Sequence, residues 1–195
     1  MKRVIYLQKI GEIDPVILIK LKKNLKWNFK GFSINVKISK DYLPLEESDY
    51  DRIRKQYDAS AILKKLVKHI SHKQYFRTLG IVDEDIYSRF LNFVFGIAII
   101  PKPEFRKFSG IALISITRLR EIFYRRKDND PLFELRVLKE AIHELGHTFG
   151  LKHCDNRCVM KFSNHLADTD NKPPKYCEGC YLKLNKLFDS INKHD

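Results

Sequence analysis

Residues 143 to 153 read His143-Glu144-Leu145-Gly146-His147-Thr148-Phe149-Gly150-Leu151-Lys152-His153, the form HExxHxxGxxH. No other stretch restricts the chain so tightly, because this spacing makes chemical sense only on a helix that then turns back. Residues four apart share a helix face, so His143 and His147 offer two imidazoles to one ion. Glu144 stands one step round, placed to hydrogen-bond a water on that ion and act as general base without being a ligand. Gly150 can take the left-handed conformation that ends a helix, and the turn lets His153 return as a third ligand. Three protein donors leave zinc one open position, the mark of a catalytic site. HExxH alone arises by chance in about one chain in a hundred of this size, and the added Gly and His lower that to about one in 10^5.

The helix that carries the motif is marked at both ends. Asp130 is expected as its N-cap and Pro131 as its first residue. Leu138, Ala141, Ile142, Leu145 and Phe149 form an apolar stripe at helical spacing, with His143 and His147 about 100° or more round from its centre. Upstream, segments 3–8, 32–38, 78–83, 93–100 and 111–117 are β-branched or aromatic and read as strands. Asp14-Pro15 opens a helix to about Lys26, and Ala59 to Ile70 forms another. Strands alternating with helices predict an α+β chain whose twisted, mixed, largely parallel five-stranded sheet backs the active-site helix.

All four cysteines fall in the last 42 residues: Cys154, Cys158, Cys177 and Cys180. Two disulfides are one reading. The opening residues do not read as a secretory leader, since Val16 to Leu21 follows Glu12 and Asp14 and contains Lys20. A cytoplasmic location is therefore expected, where C-x3-C and C-x2-C spacing suits a closed tetrahedral zinc site better. Such a staple is needed, because the 45 residues after Gly150 are too few to bury much core. The expected organisation is one domain of two lobes. Residues 1–150 carry the sheet and active-site helix, and 151–195 form a small zinc-stapled C-terminal lobe with an amphipathic stretch at Leu184, Leu187, Phe188 and Ile191.

The whole pattern resembles a known family. HExxHxxGxxH with a Met downstream is similar to the metzincin zinc peptidases. Cys154 directly after the third His, then Cys158-Val159-Met160 and Cys177-Glu178-Gly179-Cys180, resembles the archaemetzincin branch. The Cys154–Cys158 and Met160–Cys177 gaps are each one residue shorter than that family's pattern. Weaker likeness extends upstream through Leu91-Asn92-Phe93-Val94-Phe95-Gly96. The resemblance implies a metzincin-like fold with 93–100 at the sheet edge beside the cleft, where an extended peptide adds as a strand. It implies two zinc ions, one catalytic on His143, His147 and His153 and one structural on the four cysteines. It makes Glu144 the general base and then acid, and Met160 the Met-turn residue beneath the catalytic metal. Some metzincins place a Tyr two residues after that Met; Phe162 stands here, without a hydroxyl.

Hydrolysis of a peptide or protein substrate is the function expected. Net charge is +13, with ten Lys/Arg against two acids in residues 1–40, so an acidic partner is favoured. Lys20, Lys22, Lys23, Lys26 and Lys30 cluster on or after the first helix, and Lys64, Lys65 and Lys68 on the second. A solvated Lys-rich face is the plainer reading. No nucleic-acid-binding motif accompanies the charge, and no apolar run is long enough to span a membrane. His69 and His72 read as surface, and His165 and His194 have no partner spacing. Three other readings share the residues: a gluzincin with Glu178 as ligand, a basic zinc-stabilised nucleic-acid module, and a peptidase-derived binder without turnover.

Overall fold

A computed structural model describes residues 3–102 and 109–192; His194 lies outside the described residues. In chain order the elements are β1 (Val4–Ile10), α1 (Pro15–Asn28), β2 (Asn35–Leu43), β3 (Tyr50–Asp51), β4 (Gln56–Asp58), α2 (Ala59–Ile70) and β5 (Arg77–Val82). They continue with β6 (Ile86–Tyr87), β7 (Gly96–Ala98), β8 (Ile111–Ser115), α3 (Asp130–Thr148), α4 (Leu166–Asn171) and α5 (Glu178–Asn192).

Helix starts follow side-chain capping. Asp14 Oδ1 accepts from the Val16 amide at 2.9 Å, and Asp58 Oδ1 accepts from Ser60 and Ala61. At α3 the cap is Asn129, not Asp130: Asn129 Oδ1 accepts from the Leu132 amide at 3.1 Å. Starting one residue earlier puts the Asp130 carboxylate in the first turn, against the positive end of the helix.

The main sheet has strand order β2-β1-β5-β8-β7. Its first four strands pair in parallel and β7 is antiparallel at one edge. All six residues of β5 are buried, as an interior parallel strand covered on both faces requires. One face of the sheet packs on α1, α3 and α5 through Leu21, Leu25, Ile142, Leu145, Leu184 and Phe188. The other packs on α2 through Ile62, Leu63, Leu66 and Ile70. This is the mixed α+β architecture expected of the five segments.

Two strand boundaries differ from expectation, for local reasons. Phe32 sits in a single 3-10 turn and Ser33 has a positive φ of 55°, so β2 begins only at Asn35. The segment expected as a strand over 93–100 is in the ladder only over Gly96–Ala98. Just before it, the Val94 amide donates to Ile86 O and Phe95 O accepts from the Ser115 amide. The Phe95 bond continues the β7–β8 register, whereas from Val94 back the chain leaves β8 for Ile86, and residues 91–96 line the cleft. A second small sheet, β3-β4-β6, was not foreseen in the sequence. Among the described residues, no helix is long and apolar enough to cross a membrane.

Candidate metal centre

The active-site helix α3 is buried almost all round from Lys139 to Phe149. One side is the apolar stripe against the sheet. The other carries His143, Glu144 and His147, all under 10% exposed, and is covered by the chain after Gly150. Gly150 has φ 85°, the left-handed turn expected there. The turn brings His153 back, so the three imidazoles each offer a nitrogen within 4.8 Å of the others. His143 and His147 are buried and His153 is exposed.

Two of the rings are held in a set orientation. His143 Nδ1 lies 2.9 Å from Val159 O, and His147 Nδ1 lies 2.8 Å from Leu151 O. Each Nδ1–H donates to a carbonyl, which leaves the Nε2 lone pairs free. Those two Nε2 atoms are 3.1 Å apart. Neighbouring donors on a tetrahedral zinc with bonds of about 2.0–2.1 Å stand about 3.3 Å apart, so the pair fits the ion. Burial holds all three imidazoles below the ordinary histidine value, with the Lys172 ammonium adding to it. Neutral rings are the state a metal needs.

Glu144 is 5% exposed, and its carboxyl is held well above the ordinary range, first by burial and then by Glu140, with Lys172 opposing. Its carboxylate lies against β7: a Cβ on Gly96 would come within 2.8 Å of Glu144 Oε1 and of Leu113 O. Met160 is fully buried, and a Cβ on Gly146 would collide with its Sδ. The Met expected as a floor thus packs against the α3 turn between His143 and His147. Phe162 stacks obliquely 4.9 Å from the His153 ring. A cleft of about 480 Å³ opens over His143 and Glu144. Residues 91–96 form one wall and 162–166 the other, with Arg118 and Tyr124 also lining it.

The four cysteines are all free thiols whose Sγ atoms lie within 4.8 Å of one another, so the shorter gaps do not prevent convergence. Cys154 and Cys177 Sγ are 3.7 Å apart, close to the roughly 3.8 Å expected on a tetrahedral zinc with bonds of about 2.3 Å. Cys158 Sγ accepts from the Met160 and Cys177 amides at 3.4 and 3.2 Å. Burial pushes the Cys158 and Cys180 thiols up. Burial would also raise Cys177, but the Cys180 amide and the neighbouring thiols outweigh it and bring it down to about 6. Thiols crowded this closely, two buried and two half-buried, are donor chemistry that a divalent cation stabilises.

Sequence reading missed the polar seam behind the cleft. Arg136, Lys139 and Glu140 share a face of α3 and bury against α4 and Lys172. Arg136 pairs with Asp170 and Glu121, each at 2.6 Å, and Lys139 Nζ donates to Thr169 O and Asp170 O. Glu140 Oε1 accepts from Thr169 Oγ1 and lies 2.9 Å from Lys172 Nζ, both side chains 3% exposed or less. Glu140 was visible as the residue one turn before Glu144; Lys172, 32 residues on, had no local signal. Removing one member of a buried pair strands the other charge. Lys172→Met is expected to lower stability by about 3–5 kcal/mol in denaturant unfolding, and a loss under about 1 kcal/mol contradicts the pairing.

Comparison with known proteins now bears on this geometry. The family model for peptidase family M54 matches residues 5–186. The archaemetzincin of Pyrococcus furiosus is 41% identical over 191 residues, covering 95% of this chain and 94% of that protein. This chain belongs to the archaemetzincins, peptidase family M54. Solved archaemetzincin structures agree with the fold. That from Methanopyrus kandleri has a TM-score of 0.78 at 33% identity, covering 96% of each chain. That from Archaeoglobus fulgidus, complexed with malonate, has a TM-score of 0.74 at 33% identity, covering 92% of this chain and 99% of its own. As an archaemetzincin the chain is a zinc metallopeptidase, and peptides are its substrate class.

Proposed function

We propose that the peptidase site is the cleft over His143 and Glu144, with His143, His147 and His153 as zinc ligands and Glu144 as general base and then general acid. The carrying observation is the convergence of three imidazoles, two of them locked through Nδ1 so that Nε2 faces inward. Bound there, zinc supplies Lewis acidity toward a carbonyl oxygen and lowers the pKa of water toward neutrality. Glu144 takes the proton from the attacking water and delivers it to the departing amine nitrogen. Met160 supports the α3 turn that sets the His143–His147 spacing. β7, at the sheet edge beside the cleft, offers an extended substrate a pairing position.

The second zinc in this reading is structural and closed, on Cys154, Cys158, Cys177 and Cys180, and ties the loop after His153 to the start of α5 within residues 151–195. A reducing, cytoplasmic setting suits four thiols kept free for it. Chelation that empties the histidine site should abolish cleavage and added zinc should restore it; cleavage that persists at zero metal content contradicts the reading.

Gly96 gives a finer test. A methyl group there must displace either Glu144 or the β7–β8 pairing. Gly96→Ala is expected to lower kcat by about 10–100-fold at unchanged zinc content, because a displacement near 1 Å costs that much at a reacting centre. Wild-type kcat in a variant whose crystal structure shows the β7–β8 pairing intact would remove Glu144 from the mechanism as placed.

A further inference from the structure

A second concave surface lies away from the peptidase cleft and shares no lining residue with it. It is a groove of about 920 Å³ between the C-terminal end of α1 and the segment that leads into α5. Leu138 lines it, five residues before His143 and so about 140° round α3 from the metal-facing side. The α1 side presents Lys23, Lys26, Trp27 and Lys30, spaced at i, i+3, i+4 and i+7 and all exposed. Lys175 and Tyr181 stand on the other side. Among the described residues, the lining holds four lysines and no carboxylate.

Trp27 is the only tryptophan in the chain and is 72% exposed. Lys30 Nζ sits 3.7 Å from its ring centroid, on one face. The indole is otherwise open to solvent, with ammonium groups beside it. Tyr181 adds a second ring, 43% exposed. An acidic peptide would be satisfied by the lysines alone and has no use for an open indole face. A chain of phosphates carrying unpaired bases uses both: ammonium groups track the backbone while a base stacks on the ring. We infer that this groove binds single-stranded polynucleotide, independently of the peptidase chemistry.

The test is a titration of the zinc-loaded protein with 12-mer oligothymidylate and oligouridylate, following Trp27 fluorescence. Saturable quenching is expected. Its affinity should fall with salt at a log–log slope of about −2 to −3, as three or four neutralised phosphates on a single strand give. Labelled oligonucleotide anisotropy then compares variants checked for unchanged zinc content and melting. Trp27→Ala is expected to weaken binding at least about fivefold through lost stacking. Lys26→Glu/Lys30→Glu should weaken it further, and Lys64→Glu/Lys68→Glu on α2 should leave it nearly unchanged. An absence of quenching, or equal losses from both lysine pairs, overturns the inference. Polyglutamate that competes as well as the oligonucleotides shows a surface that reads acidity alone and overturns it too. A DNA-versus-RNA preference would only choose between sources of the same chemistry.

Discussion

Glu144→Ala should lower kcat/KM by about 10^2–10^4-fold, the range that a positioned general acid–base contributes, while fold and zinc content stay at wild-type values. The expectation rests on where the carboxylate lies. It is one residue past His143, 5% exposed, against Gly96 and inside the cleft wall. Glu140, the nearest other carboxyl on the same helix face, is already engaged by Thr169 and Lys172. It is poorly placed to take over. Glu144→Gln should match the alanine variant, since it keeps the size and removes the proton acceptor. Rates near wild type in either would mean that proton transfer runs through another group, and the role given to Glu144 would fall.

Cys177→Ser should be the largest stability effect. It is expected to take bound zinc from two ions to one per chain and to lower Tm by about 10–20 °C. Loss of a closed structural site removes of order 5 kcal/mol, at 2–4 °C per kcal/mol for a chain of this size. Beyond the thiols, Val159, Met160 and Leu166 also reach the core, and Lys172 pairs with Glu140. Helix α5 contributes Leu184, Phe188 and Ile191 to the core, and α4 is held by Arg136 and Lys139. Because Cys154 follows His153 directly, the loss should also loosen the third histidine and reduce cleavage. An unchanged zinc count with an unchanged melting curve contradicts the structural site.

What could be read from the sequence was what local spacing determines. The i, i+4 histidines, the left-handed Gly150 and the returning His153 are separated by few residues, so helix geometry alone placed them. The cysteine pairs are equally local. The helix starts at Asp14-Pro15 and at Ala59 were legible, and the cap read as Asp130 but found at Asn129 was a choice between adjacent polar residues. Longer-range features were not legible. Residues 93–100 read as one strand, yet Val94 leaves β8 to bond Ile86, which no local pattern announces. The seam joining Glu140 to Lys172 and Arg136 to Asp170 links positions more than 30 apart, and charged residues in a sequence read as surface. The lysine cluster on α1 was visible as charge. Its arrangement around Trp27 and opposite Tyr181 required the fold.

The most direct test of the peptidase assignment is mass-spectrometric cleavage profiling of a diverse peptide library by the zinc-loaded wild type, its chelated form and Glu144→Ala. Cuts made by the wild type and absent from the other two are predicted, and their positions will define end preference. A protein carrying its full zinc complement that makes no cuts, or cuts that survive in Glu144→Ala, would contradict catalysis at this site.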